Sequence, residues 1–312
     1  MTIDVSVLVP AKDEAENLPE FMRLMAEAFA GTAVSFEVVV IDDGSIDDTA
    51  AVLSRLSRDY PFLRSMAHRS RRGIAEALRT GWLASSGRVL VFYPADLQFL
   101  PADIPRLVAP ILAGEADMVT GFKMGYYEKA FVSKVYNALS RRLFDVPVRD
   151  LNSVKAYRRE IMEVLPGRAD WHRYMIVVAA AQGFSVVEIP VAVHPRRAGH
   201  SKFGIGRIPV GVLDMLAVWF ELRFGQKPLL LFGMGGALLF SVGFVTGLVA
   251  IGIRVFAGVG FRPLLTLVET CLILGSILFA TGLLGEQIAQ QRAELREMRR
   301  EFDALRPPHT GA

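Results

Sequence analysis

Three short stretches carry side chains suited to ribose, phosphate and divalent-metal chemistry. Asp42-Asp43-Gly44-Ser45, followed closely by Asp47-Asp48-Thr49, offers carboxylates around a tight turn. Carboxylates so placed suit ribose hydroxyls or the N–H of a base. The same residues also suit a plain turn leading into a helix capped by Asp48 or Thr49. Asp96-Leu97-Gln98 sets a carboxylate and an amide oxygen two residues apart. Such a pair suits Mg²⁺ or Mn²⁺, hard cations that complete their shells with substrate phosphates and water. Pro94 and Pro101 bracket it, so a solvated turn is the competing reading. Arg196-Arg197-Ala198-Gly199-His200-Ser201-Lys202 gathers guanidinium, hydroxyl and ammonium donors, fit for phosphates or for anchoring to lipid headgroups. No Ser/His/Asp triad and no phosphate-binding P-loop is visible, and the four histidines outside the C-terminal tail lack metal-ligand spacing.

The elements that must position these residues read as α/β. Val5–Val9, Phe36–Ile41, Leu63–Ala67, Val89–Tyr93 and Met118–Thr120 have the short apolar runs of buried strands. Helical spacing separates them over Leu18–Phe29, from Thr49 onward, and over Ile74–Ser85. Alternation of this kind predicts a mainly parallel sheet with ligands at the strands' carboxyl ends. Asp13/Glu14, Asp42/Asp43 and Asp96 follow strands one, two and four, which puts three acidic loops on one edge. Beyond residue 121 the pattern turns more helical, through Tyr127–Phe144 and Trp171–Gly183, before a strand over Ser185–Val193. Trp171, His172 and Arg173 suit either a donor contact or a helix start packed on the sheet.

Mean hydropathy is +0.35 and charged residues make up only 21% of the chain, more apolar than a soluble domain of this size. The excess is local: residues 228–285 hold only three charges, Arg254, Arg262 and Glu269. Pro228–Ile253 is uncharged for 26 residues, about 39 Å as a helix and enough to cross a bilayer core. Pro263–Gly285 is a second span, in which Glu269 must face a partner helix, the interface or a functional path. Two spans exclude both a wholly soluble protein and a polytopic transporter. Ile208–Phe224 suits an interfacial helix or a core helix. Basic residues flanking the spans favour both ends in the cytoplasm, and the N-terminus has no signal-peptide pattern. Ile288, Leu295, Met298, Phe302 and Leu305 keep heptad spacing in the charged tail, as in a subunit-joining coiled coil or a surface amphipathic helix. The lone Cys271 excludes a disulfide framework and a cysteine zinc site, and the net charge of +3 with scattered basic residues argues against nucleic acid.

Taken together, Val9-Pro10-Ala11-Lys12-Asp13-Glu14, Ile41-Asp42-Asp43-Gly44-Ser45, Pro94-Ala95-Asp96-Leu97-Gln98, the basic loop from His194 to Lys202, and the hairpin of two apolar helices resemble family-2 glycosyltransferases. The resemblance is to the polyprenyl-phosphate sugar transferases of the dolichyl-phosphate mannose synthase type, and it covers almost the whole chain. It implies a GT-A, Rossmann-like catalytic domain over residues 1–204, interfacial helices over 205–227, a transmembrane hairpin over 228–285 and a helical tail over 286–312. It further implies a bacterial inner-membrane enzyme that inverts configuration as it moves a sugar from a UDP- or GDP-sugar to a polyprenyl monophosphate, with a homo-oligomer as a further expectation. Pro10, Glu14, Asp42, Asp43, Ala95 and Asp96 would then bind the nucleotide, and Asp96 with Gln98 would hold Mg²⁺ or Mn²⁺. Lys123, Lys129, Ser133, Arg197, Ser201 and Lys202 would bind the acceptor phosphate. Asp96 and Asp150 would serve catalysis, Asp150 by orienting the acceptor loop unless it simply caps a turn. Three positions depart from the family: Pro94 replaces an Asp, Val154 a Gly, and His200 a Lys or Arg. The competing readings are a membrane glycosyltransferase acting on a hydroxyl and a silent nucleotide-sugar-binding scaffold. The Gln-x-x-Arg-Trp motif of processive enzymes is absent from the sequence.

Overall fold

The computed structural model describes residues 3–125, 140, 142–144, 146, 148–165, 171–195 and 208–305. The chain divides into two compact units, Met1–Gly211 and Val212–Ala312. The expected elements appear in the first: β1 (Val5–Ala11), α1 (Leu18–Phe29), β2 (Phe36–Asp42), α2 (Thr49–Asp59), β3 (Leu63–Ala67), α3 (Ile74–Ala84) and β4 (Val89–Phe92). A 3₁₀ turn over Pro101–Asp103 leads into α4 (Ile104–Leu112), followed by β5 (Met118–Met124), β6 (Lys155–Arg158) and α5 (Ile161–Val164). A second 3₁₀ turn over Trp171–Arg173 precedes α6 (Met175–Ala181) and β7 (Val186–Ala192). The helical pattern expected over Tyr127–Phe144 lies largely outside the described residues.

Among the described residues the seven strands form one sheet, in the order β3-β2-β1-β4-β6-β5-β7. All pairings are parallel except those of β6, which runs antiparallel to both β4 and β5. Strands buried on both faces read as continuous apolar runs, which is why β1, β2 and β4 are plain in the sequence. Val5, Val7, Val9, Val38 and Val40 pack into one core layer with Leu18, Phe21 and Met22 of α1 and Ile104, Leu107 and Val108 of α4. Leu8, Val39 and Ile41 point to the opposite layer, with Leu78 of α3, Trp171, and Met175 and Ile176 of α6. Strand order reverses between β1 and β4, so the crevice of a doubly wound sheet opens at their carboxyl ends.

The second unit holds most of α7 (Ile208–Phe224), then α8 (Pro228–Ala257) and α9 (Arg262–Leu305). α8 and the Arg262–Leu295 part of α9 are long and apolar enough to cross a membrane. The charged tail continues α9 without a break. α8 and α9 pack backbone to backbone. A Cβ on Gly236 would stand 2.5 Å from the Phe279 nitrogen, and one on Gly275 would stand 2.6 Å from the Phe240 nitrogen. Small residues at such contacts let helices approach closely where lipid offers no hydrophobic drive. The Leu229 N–H, unpaired within its own helix, donates to Glu286 Oε2 at 3.2 Å. Gly275→Leu is expected to cost the hairpin about 1–3 kcal/mol through overpacking, seen as a lower melting temperature in detergent. Gly235→Leu, where a Cβ meets nothing within 4 Å, should leave the melting temperature unchanged.

Candidate active site

The register of β1 with β2 sets Ala11 opposite Asp42, and that of β1 with β4 sets Leu8 opposite Phe92. The loops carrying Pro10 to Glu14, Asp42 to Thr49 and Pro94 to Gln98 therefore leave the same edge of three adjacent strands.

The first two loops are laced together. Lys12 Nζ donates to the Gly44 carbonyl at 2.7 Å, and the Asp13 N–H donates to Ser45 Oγ at 2.9 Å. The Ile46 N–H returns to Asp13 Oδ1 at 2.9 Å, and the Glu14 N–H donates to Thr49 Oγ1 at 3.0 Å. Asp13 adopts a left-handed φ of 54°, which Asp tolerates better than most residues. Neither Asp48 nor Thr49 caps α2 with its side chain. Asp47 does that work, its Oδ1 accepting both the Thr49 N–H at 3.0 Å and the Thr49 hydroxyl at 2.6 Å.

Asp42 and Asp43 are both buried but differently used. Asp42 Oδ1 accepts the Ser45 N–H at 2.8 Å, closing the turn. Asp43 turns to the loop after β3: its Oδ1 pairs with His68 Nδ1 at 2.8 Å and accepts the Arg72 N–H at 2.7 Å, and its Oδ2 accepts the Gly73 N–H at 2.8 Å. His68 Nε2 in turn meets Thr80 Oγ1 of α3 at 2.9 Å. Burial alone would raise the Asp43 pKa, but these hydrogen bonds and His68 hold it below the ordinary carboxylate value. A Cβ on Gly44, whose φ is +71°, would lie 2.8 Å from the Arg71 nitrogen, so glycine lets the two loops touch.

After β4 the chain bends over residues 95–99, and buried and half-exposed residues alternate along it. Tyr93, Ala95, Leu97 and Phe99 are buried, while Pro94, Asp96 and Gln98 stand half-exposed on the open side. Ala95 is 2% exposed and packs in the core, so only its backbone faces a ligand. The Tyr93 hydroxyl donates to the Leu100 carbonyl at 2.7 Å and fixes the loop's far end. Asp96 Oδ1 accepts the Gln98 N–H at 3.2 Å, and Leu97 between them has a φ of 57°, rare for a branched residue. A left-handed residue of this type costs roughly 1–3 kcal/mol and tends to occur at functional loops. The donor set fits a hard cation that takes few protein ligands, with one carboxylate and one amide oxygen on the open side. Among the described residues no cluster of three or more His, Cys, Asp or Glu could hold a metal alone. The His194 N–H donates to the Gln98 carbonyl at 2.8 Å, which ties the start of the basic loop to this segment.

Farther along the edge, Lys123 Nζ lies 3.3 Å from Asp150 Oδ2 and donates to the Asn152 carbonyl at 2.8 Å. Asp150 also closes a turn, its Oδ1 accepting the Asn152 N–H at 2.9 Å, so it both caps and pairs. The Arg149 and Asp150 N–H groups converge on Glu188 Oε1 of β7, at 2.6 and 3.1 Å. Val154, in place of the family's glycine, is buried, and its Cγ2 would come within 3.1 Å of a Cβ on Gly121. Gly121 therefore makes room for it. Lys129, Ser133, Arg197, His200, Ser201 and Lys202 lie outside the described residues.

One residue here escaped the sequence reading. Lys155 is 1% exposed, with Nζ bonded to the Ser153 carbonyl at 2.8 Å and 5.8 Å from the centroid of the Phe92 ring. Of the two readings the sequence leaves open for His172, its burial in the 3₁₀ turn over Trp171–Arg173 favours packing on the sheet. It is buried against Phe92 and Trp171, and burial, aided by Lys155 and Arg173, lowers its pKa to about 3. The signal for Lys155 was a lysine between Val154 and Ala156, set in a strand among apolar residues.

The chain resembles known proteins over nearly its full length. It is 28% identical over 307 residues to dodecaprenyl-phosphate galacturonate synthase of Rhizobium johnstonii, spanning 93% of this chain and 88% of that protein. It is 28% identical over 312 residues to undecaprenyl-phosphate 4-deoxy-4-formamido-L-arabinose transferase of Sodalis glossinidius, spanning 97% and 94%. In fold it resembles glucosyl-3-phosphoglycerate synthase of Mycobacterium tuberculosis, solved with Mn²⁺, UDP and phosphoglyceric acid, at a TM-score of 0.57 and 22% identity over 70% of this chain and 78% of that one. The same protein has been solved with Mg²⁺ and UDP, with a TM-score of 0.55, 21% identity and coverage of 70% and 79%. Its GT-A architecture is that of the sheet described above. The model of Glycosyl transferase family 2 matches residues 6–164, about half of the chain and the stretch that holds Asp42, Asp96 and Asp150, and the chain is a glycosyltransferase of that family.

Proposed function

We propose that this glycosyltransferase moves a sugar from a nucleoside-diphosphate sugar to a polyprenyl monophosphate, with inversion at the anomeric carbon. The observation that carries this reading is the end-to-end likeness to two polyprenyl-phosphate sugar transferases, apolar hairpin included. An acceptor with a long isoprenoid tail stays in the bilayer, so its enzyme needs a membrane part.

In this reading the donor occupies the β1–β2–β4 end of the edge. Asp42, Glu14 and Pro10 line the nucleoside pocket with the Ala95 backbone, and Asp43 holds the pocket's wall through His68 and the Arg72–Gly73 backbone. Asp96 and Gln98 would hold Mg²⁺ or Mn²⁺, and the cation would supply positive charge to offset that of the departing diphosphate. Lys123, Lys129, Ser133, Arg197, Ser201 and Lys202 receive the acceptor phosphate, with Asp150 orienting Lys123. A phosphate monoester has its second pKa near 6 and is largely a dianion at neutral pH. Its oxygen attacks the anomeric carbon as the bond to the diphosphate breaks, and the reaction needs no general base. The protein's task is to align two anions and offset their repulsion.

Residues 1–204 form the catalytic domain in this assignment, 205–227 the interfacial helices, 228–285 the membrane hairpin and 286–312 the tail. The hairpin sits in a bacterial inner membrane with both ends cytoplasmic. Ile288, Leu295, Met298 and Phe302 are all at least half exposed along α9, which supports pairing with a second copy of the chain. Crosslinking in membranes is expected to trap dimers or higher species, and monomer alone would refute this.

The decisive assay offers the purified chain in detergent a panel of UDP- and GDP-sugars with polyprenyl phosphate. One donor should give a chloroform-extractable product that requires Mg²⁺ or Mn²⁺. Asp96→Ala should lower that transfer by about 100-fold or more; unchanged, metal-independent transfer would remove Asp96 and Gln98 from the metal site. Asp42→Ala is expected to raise the donor KM with little change in melting temperature. Asp43→Ala should lower the melting temperature as well, because it strips partners from two backbone N–H groups and from the buried His68 side chain. Equal effects of the two substitutions on folding would overturn that division of labour.

A further inference from the structure

The tail of α9 carries an apolar stripe where water is expected. Nine of the 20 residues from Glu286 to Leu305 are charged, which keeps this stretch out of the hydrocarbon. Yet Ile288, Leu295, Met298 and Phe302 are 50%, 61%, 56% and 62% exposed, and among the described residues of the tail beyond Ala289 none is buried. Lying flat in the membrane interface would hide such a stripe. The helix does not turn that way. α9 is continuous from Arg262 to Leu305, and no proline follows Pro263 to kink it. The tail therefore extends about 30 Å along the direction of the span and away from the bilayer. A stripe held there needs a protein partner.

The flanking charges identify that partner. With Ile288, Leu295 and Phe302 at heptad position a, Gln291, Met298 and Leu305 fall at d. The same register puts Arg292 and Arg299 at e, and Gln287, Glu294 and Glu301 at g. In a parallel pair of identical helices, a g residue faces the e residue five positions on in the other copy. Glu294 then meets Arg299, and Gln287 meets Arg292. In an antiparallel pair g faces g and e faces e, which sets glutamate against glutamate and arginine against arginine. Only the parallel arrangement brings opposite charges together. Within one helix Glu294 and Arg299 are not neighbours, because side chains meet at spacings of three and four.

We propose that α9 pairs with α9 of a second copy of the chain as a parallel, in-register, two-stranded coiled coil along the tail. The proposal rests on the homo-oligomer reading above and adds direction and register to it. Two copies that enter one membrane the same way have parallel tails, so the pairing needs no inversion of topology. Gln291 is the only polar residue at an a or d position between 288 and 305. Two such amides meet at the same level only when the helices are in register, so this layer fixes the alignment at some cost in stability. The same spacing runs back through Leu284, Thr281, Ile277 and Leu274, all exposed, and carries the seam into the span.

The test uses the full chain with Cys271→Ala, which removes its one cysteine, oxidised in isolated membranes. Leu295→Cys and Met298→Cys should each form a disulfide between two copies, while Ala293→Cys, on the far side of the heptad, should not. In detergent, Arg299→Glu should weaken the dimer roughly tenfold, because it turns two attractions per dimer into repulsions. Adding Glu294→Arg to that variant should restore the dimer. An oligomer that persists while positions 295 and 298 fail to crosslink, or whose loss in Arg299→Glu is not rescued, overturns the coiled coil and leaves the homo-oligomer reading standing. A chain found only as monomer in membranes overturns both. A fluorophore on Met298→Cys quenched by nitroxide-bearing lipids would place the tail on the membrane surface and overturn the proposal as well.

Discussion

The carboxylate of Asp43 holds one wall of the candidate active site together. Three N–H donors meet on its two oxygens, one from His68 and two from the Arg72–Gly73 backbone, while its own N–H reaches the Ala11 carbonyl at the end of β1. One residue thus joins the end of β1 to the loops that follow β2 and β3, and through His68 and Thr80 it reaches α3. A parallel sheet guarantees that these loops leave the same edge, but not that they hold a shape. Loops are solvated and mobile unless their backbone groups find fixed partners. The lacing of residues 12–14 with residues 44–49 supplies such partners on the other side of the same turn. In the proposed reading, Asp42 is the carboxylate of the pair that meets the nucleoside.

How far the sequence could be read follows from what each element buries. β1, β2 and β4 declared themselves because strands covered on both faces have little room for polar residues. β6 did not. It has four residues, two of them charged, and it is held by antiparallel neighbours that no local pattern reveals. α4 carries Pro105 and Pro110 and was passed over, although its apolar face packs squarely in the core. The motif residues Asp42, Asp96 and Gln98 were legible by type and position. What was not legible was the division of labour inside each motif. Asp42 and Asp43 are neighbours in sequence, yet the pleat sends them to different partners. Asp47 caps α2 although Asp48 and Thr49 looked better placed. Val154 stands in the sequence only as a departure from the pattern, while the structure buries it beside Gly121, where Val191 packs as well.

The two halves of the edge show different electrostatic designs, suited to different ligands. At the β1–β2–β4 end, carboxylates are kept ionised by hydrogen bonds, as at Asp43 and Asp47, and Lys12 Nζ stands 3.5 Å from Asp13. Such carboxylates favour hydroxyls, base N–H groups and a divalent cation. At the β5–β6 end, Lys123 faces a buried aspartate, Asp150, where each charge counts for more than it would in water. A reaction between two phosphate-bearing molecules needs this asymmetry. A uniformly basic edge would bind both substrates and the released nucleotide diphosphate equally well, lowering the ground state together with the transition state.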